Sequence, residues 1–390
     1  MPWHRVEPMD NKYQFIKEYK AGYFNFAELC RRYGVSRKTG YKWVSRWKQA
    51  QSIEALKDLS RRPVSSPTRM ANEVIATILE RRGKHPHWGP KKLLTVIHRD
   101  YPGWELPSVS TVARILKHNG LIKPRRSRVR KGHPGPPLTA MSEPNAVWTA
   151  DFKGHFKTGD GVYCYPLTVV DGFSRYLLAC QGMLHPTRDN VKAVFTRLFN
   201  EFGLPVRIRT DNGSPFAAYT LGRLSKLSIW WIKLGIIPEL IEPGCPQQNG
   251  RHERMHRTLK QETVIPPAGH ISPQQRRFNR FREEYNTIRP HESIDLKTPA
   301  QLYRTSYRAM PKTLPPVDYP SHFEKRLVSR NGGIRWKSNW VSVGQVLEEE
   351  YIGLEAIDNG IWDVYFSKVR IGRFIESDMR IEDINKQPRG

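Results

Sequence analysis

The sequence is poor in cysteine, has no long apolar run, and is short of acidic side chains. Cys30, Cys164, Cys180 and Cys245 are scattered without a CxxC pair. That spacing argues against a structural zinc site and for reduced core thiols. No stretch reaches the ~18 apolar residues that a bilayer crossing requires. Met1-Pro2-Trp3-His4-Arg5 runs into polar sequence, not the apolar centre of a signal peptide. The expectation is a cytoplasmic protein with no membrane partner. Only 37 Asp and Glu face 64 Lys and Arg, a formal net charge of +27. Such an excess favours a polyanionic partner, of which nucleic acid is the commonest. A ribosomal protein or a membrane-surface protein would share the charge, so charge narrows the class without choosing.

The 390 residues suffice for two to four domains. Residues 1–52 read as a helix-turn-helix domain. Phe15, Ile16 and Tyr19 form the stripe of a first helix, and Asn25 and Glu28 stand at capping-box spacing to open a second. After Gly34-Val35, Ser36 can cap a third helix with Tyr41, Val44 and Trp47 on one face. Arg37, Lys38, Lys42 and Arg46 lie elsewhere on it and are the candidate DNA-binding residues. The alternative is a three-helix packing module with a solvated basic face.

Residues 53–68 read as a linker, proline-rich around Pro63 and Pro67. A second helix-turn-helix or winged unit is expected over 69–122, with Gly89-Pro90 and Ser108 opening two of its helices. Residues 123–143 are a basic linker carrying Arg125 and Arg126, either simply solvated or laid along phosphates. From 144 to 310, strands at Val147–Phe152, Tyr163–Val170, Tyr176–Ala179 and Val206–Arg209, with a helix after Thr187, describe a mixed sheet flanked by helices. Residues 325–385 return to short alternating strands with a hairpin signal at Asp358-Asn359-Gly360, as in a small β-barrel.

The informative carboxylates are those among apolar neighbours. Asp151 lies mid-strand in Val147-Trp148-Thr149-Ala150-Asp151-Phe152, where a lone buried charge would cost several kcal/mol. Asp211 follows the strand ending at Thr210, and a strand end is where α/β proteins place ligand groups. Glu253 follows Pro246-Gln247-Gln248-Asn249-Gly250, early in a helix. Hard divalent cations prefer oxygen ligands, and a pair ~3.5–4 Å apart can activate a hydroxyl and stabilise a leaving oxygen. On the same helix, Arg254, Arg257 and Lys260 can hold DNA phosphates, and positions 253, 257 and 260 share a face. Asp171 reads as a turn former with Gly172 and Ser174. His252 and His256 could touch DNA or be merely solvated. Trp336 and Trp340 could contact DNA, and no base stands at useful spacing from Cys245.

At these residues the chain resembles the integrase core of DDE transposases and retroviral integrases. The resemblance rests on Trp148-Thr149-Ala150-Asp151, Val170-Asp171-Gly172-Phe173-Ser174-Arg175, Thr210-Asp211-Asn212-Gly213 and Pro246-Gln247-Gln248-Asn249-Gly250 before Glu253. Trp88-Gly89-Pro90-Lys91-Lys92, Tyr285-Asn286-Thr287-Ile288-Arg289-Pro290-His291 and Thr298-Pro299-Ala300 look like bacterial insertion-sequence transposases. The resemblance implies an RNase H-like catalytic domain, an SH3-like tail, and Asp151, Asp211 and Glu253 as catalytic, metal-binding residues for two Mg²⁺, with Mn²⁺ able to substitute. It further implies binding to double-stranded element ends and target DNA, strand cleavage and transfer, a homo-oligomer on DNA, and a bacterial, nucleoid-associated location. The separations are 211 − 151 = 60 and 253 − 211 = 42 residues. The second exceeds the family's usual spacing, and the excess is assigned to Tyr219–Ser228. The rivals are a catalytically silent DNA-binding regulator derived from a transposase, and a nuclease that cuts without joining.

Overall fold

The computed structural model describes residues 8–58, 70–122, 138–243 and 245–384. The chain divides into two compact units, Met1–Ala71 and Asn72–Gly390. In the first, α1 (Pro8–Ala21), α2 (Phe26–Arg32) and α3 (Arg37–Ala50) surround Phe15, Ile16, Leu29, Cys30 and Val44. Asn25 and Ser36 cap α2 and α3 by accepting from the Glu28 and Thr39 amides. The buried face of α3 departs from expectation. Gly40 lies there with Val44, whereas Tyr41 is exposed and stacks on Phe26. A Cβ on Gly40 would stand 2.8 Å from Cys30 Sγ and 3.0 Å from Phe15, so glycine permits the helices to approach. Ile53–Leu56, expected in a linker, is a 3₁₀ turn whose Leu56 is fully buried in this core.

The second unit begins with α4 (Asn72–Lys84), α5 (Pro90–Asp100) and α6 (Val109–His118). Pro90 occupies the first turn of α5, and Ser108 caps α6. Two of the sequence motifs meet here. Trp88 is 1% exposed, stacked by His85 and approached by the Arg289 guanidinium. His85 Nδ1 lies 2.9 Å from Glu284 Oε1. The Trp88-Gly89-Pro90 turn is therefore docked on the segment around Arg289.

A mixed sheet follows: β1 (Val147–Phe152), β2 (Phe156–Lys157), β3 (Tyr163–Asp171), β4 (Leu177–Met183), β5 (Arg207–Thr210) and β6 (Ile237–Leu240). β3 pairs antiparallel with β1 and β4, while β1, β5 and β6 run parallel. Alternation along the strands sorts their side chains to two faces. Trp148, Ala150, Leu167 and Val169 pack with α7 (Arg188–Phe202) and α8 (Lys226–Lys233). Cys164 and Val170 pack with α9 (Gly250–Leu259) and α10 (Ile271–Thr287). Thr149 and Asp151 alternate onto this second face, under α9.

After α11 (Pro299–Leu302), a five-stranded antiparallel sheet combines β7 (Glu324–Leu327), β10 (Tyr351–Asp358), β11 (Ile361–Phe366), β12 (Val369–Ile375) and β13 (Arg380–Asp383). β8 (Gly333–Trp336) and β9 (Asn339–Ser342) form a separate hairpin. Asn359-Gly360 closes the β10–β11 hairpin beside a bulge. Leu224, Ile229 and Ile232 join this core, while Leu227, Trp230 and Trp231 of the same region face the mixed sheet. The Tyr219–Ser228 segment thus contributes Leu221 and Leu224 to the junction with the C-terminal sheet. Trp336, a candidate DNA contact, is buried against Trp362 and Phe374, whereas Trp340 is half exposed.

Candidate active site

The β1–β5 pairing brings two of the carboxylates together. Val147 pairs with Arg207 and Thr149 with Arg209, a constant offset of 207 − 147 = 60. The same offset separates Asp151, near the end of β1, from Asp211, one residue past the end of β5. Past β5, the Gly213 amide donates to Asp211 Oδ1 at 3.1 Å. A Cβ on Gly213 would lie 3.2 Å from Asp211 Oδ2, so a side chain there would crowd the carboxylate. Asn212 anchors the turn, donating to the Ile241 carbonyl and accepting from Arg223.

Glu253 lies in the first turn of α9 and is exposed. Burial, then the charges of Asp211 and Glu253, push Asp151 up to about 7. Asp151 therefore lies within electrostatic reach of both other carboxylates. Asn249, the N-cap residue of α9, makes no cap with its side chain and instead donates to Asp151 Oδ2 at 3.0 Å.

Two residues differ from their reading in the sequence. His252 and His256 are neither solvated nor on a DNA-facing surface; they are 2% and 6% exposed. His252, Met255, His256 and Leu259 recur at i, i+3, i+4 and i+7, the inward stripe of α9. Placing two imidazoles on it brings them to the polar side chains that alternation puts on this face of the sheet. Thr149 Oγ1 is 2.8 Å from His252 Nδ1. Thr168 Oγ1 lies 2.6 Å from His252 Nε2 and 2.7 Å from His256 Nε2. His256 Nδ1 faces Asp151 Oδ2 at 3.8 Å. Asp151, His252 and His256 form the group of possible metal ligands among the described residues. The sequence reading missed Asn249, Thr149 and Thr168, although helical spacing and strand alternation both pointed to this face.

Asp171 is the turn former expected. Fully buried, it accepts from the Asn145 and Ser174 amides at 2.8 Å and from Ser174 Oγ at 2.6 Å. The basic candidates divide. Arg254, Arg257 and Lys260 are exposed on α9 and just beyond it, as are Arg37, Lys38 and Lys42 on α3. Arg46 is partly covered and donates to the Lys57 carbonyl. Arg125 and Arg126 lie outside the described residues. Cys30, Cys164 and Cys180 are buried thiols, and Cys245 is partly exposed.

Sequence comparisons identify an integrase core in this region. The "Integrase core domain" family model matches residues 141–246, and a second model of that description matches 234–299. A "Helix-turn-helix domain" matches 11–63, and a "Homeodomain-like domain" matches 39–116. An uncharacterized 39.2 kDa protein of insertion element IS476, from Xanthomonas euvesicatoria, is 28% identical over 62% of this chain and 68% of its own length. The Gag-Pol polyprotein of avian reticuloendotheliosis virus is 29% identical over 48% of this chain but only 16% of the polyprotein. Among solved structures, the HTLV-2 integrase catalytic core domain in complex with magnesium aligns at 19% identity and TM-score 0.34, covering 42% of this chain and 99% of that one. A simian T-cell lymphotropic virus intasome, in complex with a PP2A regulatory subunit, aligns at 17% identity and TM-score 0.36 over 75% of this chain and 98% of that one. The chain carries an integrase core behind helix-turn-helix domains. Over 68% of its length, the insertion-element protein is similar to this chain. No helix among the described residues is long and apolar enough to cross a membrane.

Proposed function

We propose that the protein binds the ends of an insertion sequence and catalyses metal-dependent DNA cleavage and strand transfer, with Asp151, Asp211 and Glu253 as catalytic carboxylates. The observation that carries this reading is the parallel pairing of β1 and β5, which brings Asp151 and Asp211 to neighbouring strand ends with Glu253 close enough to act on Asp151. Three carboxylates with Asp151 held so far above its ordinary value form a donor set suited to hard cations, which would relieve the repulsion among them. Two Mg²⁺, or Mn²⁺, would supply activation of the attacking oxygen and stabilisation of the leaving one.

In the first step a water oxygen attacks an end phosphorus, the P–O3′ bond breaks, and the 3′ oxygen leaves as a hydroxyl. In the second that hydroxyl attacks a phosphodiester of target DNA, and one bond again replaces another. This chain binds and aligns the DNA for both. Arg254 and Arg257 follow Glu253 on the exposed side of α9, with Lys260 just past its end, where they would hold phosphates beside the carboxylates. Arg37, Lys38, Lys42 and Arg46, with Arg125 and Arg126, would engage the terminal inverted repeats. Joining two ends calls for a homo-oligomer on DNA, and such a protein would act at the bacterial nucleoid.

Incubation of labelled element-end DNA with Mg²⁺ or Mn²⁺ tests this reading, comparing wild type with Glu253→Gln on a gel that resolves joined from cut strands. Joined products from the wild type alone, with end binding intact in both, are expected. Cut but unjoined products would favour a nuclease, and specific binding without either product a silent regulator.

A further inference from the structure

We infer that Thr149, His252, Thr168 and His256 form a one-way hydrogen-bond chain whose last ring, His256, faces the Asp151 carboxylate, and that this chain positions that carboxylate and the Glu253 helix. The inference rests on the ion-binding role proposed above and gives His252 and His256 a positioning role in place of a ligand role, since threonine hydroxyls occupy both His252 nitrogens and His256 Nε2.

The direction of the chain follows from its last link. His256 Nδ1 is 3.8 Å from Asp151 Oδ2. With Asp151 ionised, as in the ion-binding form, a bare nitrogen lone pair there would face a carboxylate, so the proton belongs on Nδ1. Both imidazoles are buried, at 2% and 6% exposed, where a charged ring would be costly, so each is neutral. A neutral ring carries one N–H, so His256 Nε2 is an acceptor. Its partner is Thr168 Oγ1 at 2.7 Å, whose hydroxyl hydrogen must therefore point to it. The Thr168 oxygen is left to accept, and His252 Nε2 at 2.6 Å must donate. His252 Nδ1 then accepts from Thr149 Oγ1 at 2.8 Å. Each assignment forces the next. The competing carbonyls of Asp151 and Val170 are farther from the threonine hydroxyls, at 3.1 and 3.3 Å.

The chain crosses from β1 to α9, to β3, back to α9 and again to β1. It thereby fixes α9 against both strands at two points one turn apart. Glu253 lies between those points in sequence. The helix has no side-chain cap to set its start, and the Asn249 amide is hydrogen-bonded to Asp151. Asp151 is thus approached by the His256 N–H and the Asn249 amide. Partners that orient a metal's ligands from behind are worth about 10- to 100-fold in metal affinity.

Nitrogen-15 NMR of the metal-free, histidine-labelled protein reads the tautomers directly. His256 as Nδ1–H and His252 as Nε2–H are expected; His256 as Nε2–H overturns the chain. The second measurement is Mn²⁺ affinity without DNA. Thr168→Val removes the hydroxyl at nearly constant shape and should weaken Mn²⁺ binding about 10- to 100-fold, with end-DNA affinity unchanged and Thr168→Ser restoring it. A merely structural threonine would lower the melting temperature and leave the affinity of the folded protein intact, which contradicts the inference. Asp151→Asn is the reference. Loss of Mn²⁺ binding there but not in Thr168→Val sinks the chain alone, whereas unchanged binding in Asp151→Asn sinks the ion-binding reading with it. The wild-type tautomers decide the matter even if a variant fails to fold.

Discussion

Asp151 and Asp171 are both screened from solvent on adjacent strands, three residues apart in register, yet they are treated in opposite ways. Trp148 pairs with Asp171 across β1 and β3, and Asp151 pairs with Thr168. Asp171 is saturated by two amides and a hydroxyl. Asp151 receives one amide hydrogen bond from a side chain, and two like charges bear on it. The neighbours of Asp171 satisfy it and hold structure together, whereas those of Asp151 raise its energy, as the proposed ion-binding role requires.

The sharpest way to break this contrast is to neutralise each aspartate. Asp151→Asn should lower strand transfer by about 10³-fold or more, since several kcal/mol of charge stabilisation is lost with the ligand. Its urea midpoint at pH 8 should be equal or higher, because a repelled buried charge is gone. A destabilised Asp151→Asn with residual activity would invert the roles. Asp171→Asn should do the reverse. An amide cannot accept all three hydrogen bonds as a carboxylate does, and the loss should cost about 2–4 kcal/mol by urea unfolding. The surviving folded fraction should retain its cleavage rate.

Acid sharpens the contrast further. His252, His256 and His291 titrate in the fold at about 3, 2 and 3, all depressed first by burial, against 6.5 unfolded. Between those values the unfolded chain binds more protons, so their stabilisation is complete above 6.5 and is lost as pH falls. Asp151, raised from 3.8 to about 7, has the opposite sign: its stabilisation is lost as pH rises through that window. Three histidines against one carboxylate give net acid lability between pH 6.5 and 4, at about 1.4 kcal/mol per pH unit for each net proton. Urea midpoints measured across that range check it, and a midpoint rising on acidification would refute it. The smallest effect belongs to the surface: Arg257→Ala or Lys260→Ala should each reduce the salt slope of DNA binding by about 0.9, read from affinities at several salt concentrations.

Much of this was legible in the residues. The helix caps at Asn25, Ser36, Ser108 and Thr187 rest on local hydrogen bonds, so sequence spacing revealed them. Asp151 and Asp211 stood out because carboxylates are costly among apolar neighbours. What escaped depends on contacts distant along the chain. Gly40 marks a close helix approach that no local pattern announces, and Leu56 is buried by partners some forty residues away. Trp336 could be placed inside only once β11 and β12 were known to cover it. His252 and His256 were misjudged because histidine is polar, although both occupy the inward stripe of α9. Their hydrogen-bond partners sit on strands more than eighty residues earlier.

The most direct test of the carboxylate site is anomalous diffraction from crystals soaked in Mn²⁺. Peaks bounded by the Asp151, Asp211 and Glu253 carboxylates, absent from Asp151→Asn crystals, are the expected result. Mn²⁺ bound elsewhere, with Asp151 still held by Asn249 and no peak among the three carboxylates, would contradict the assignment.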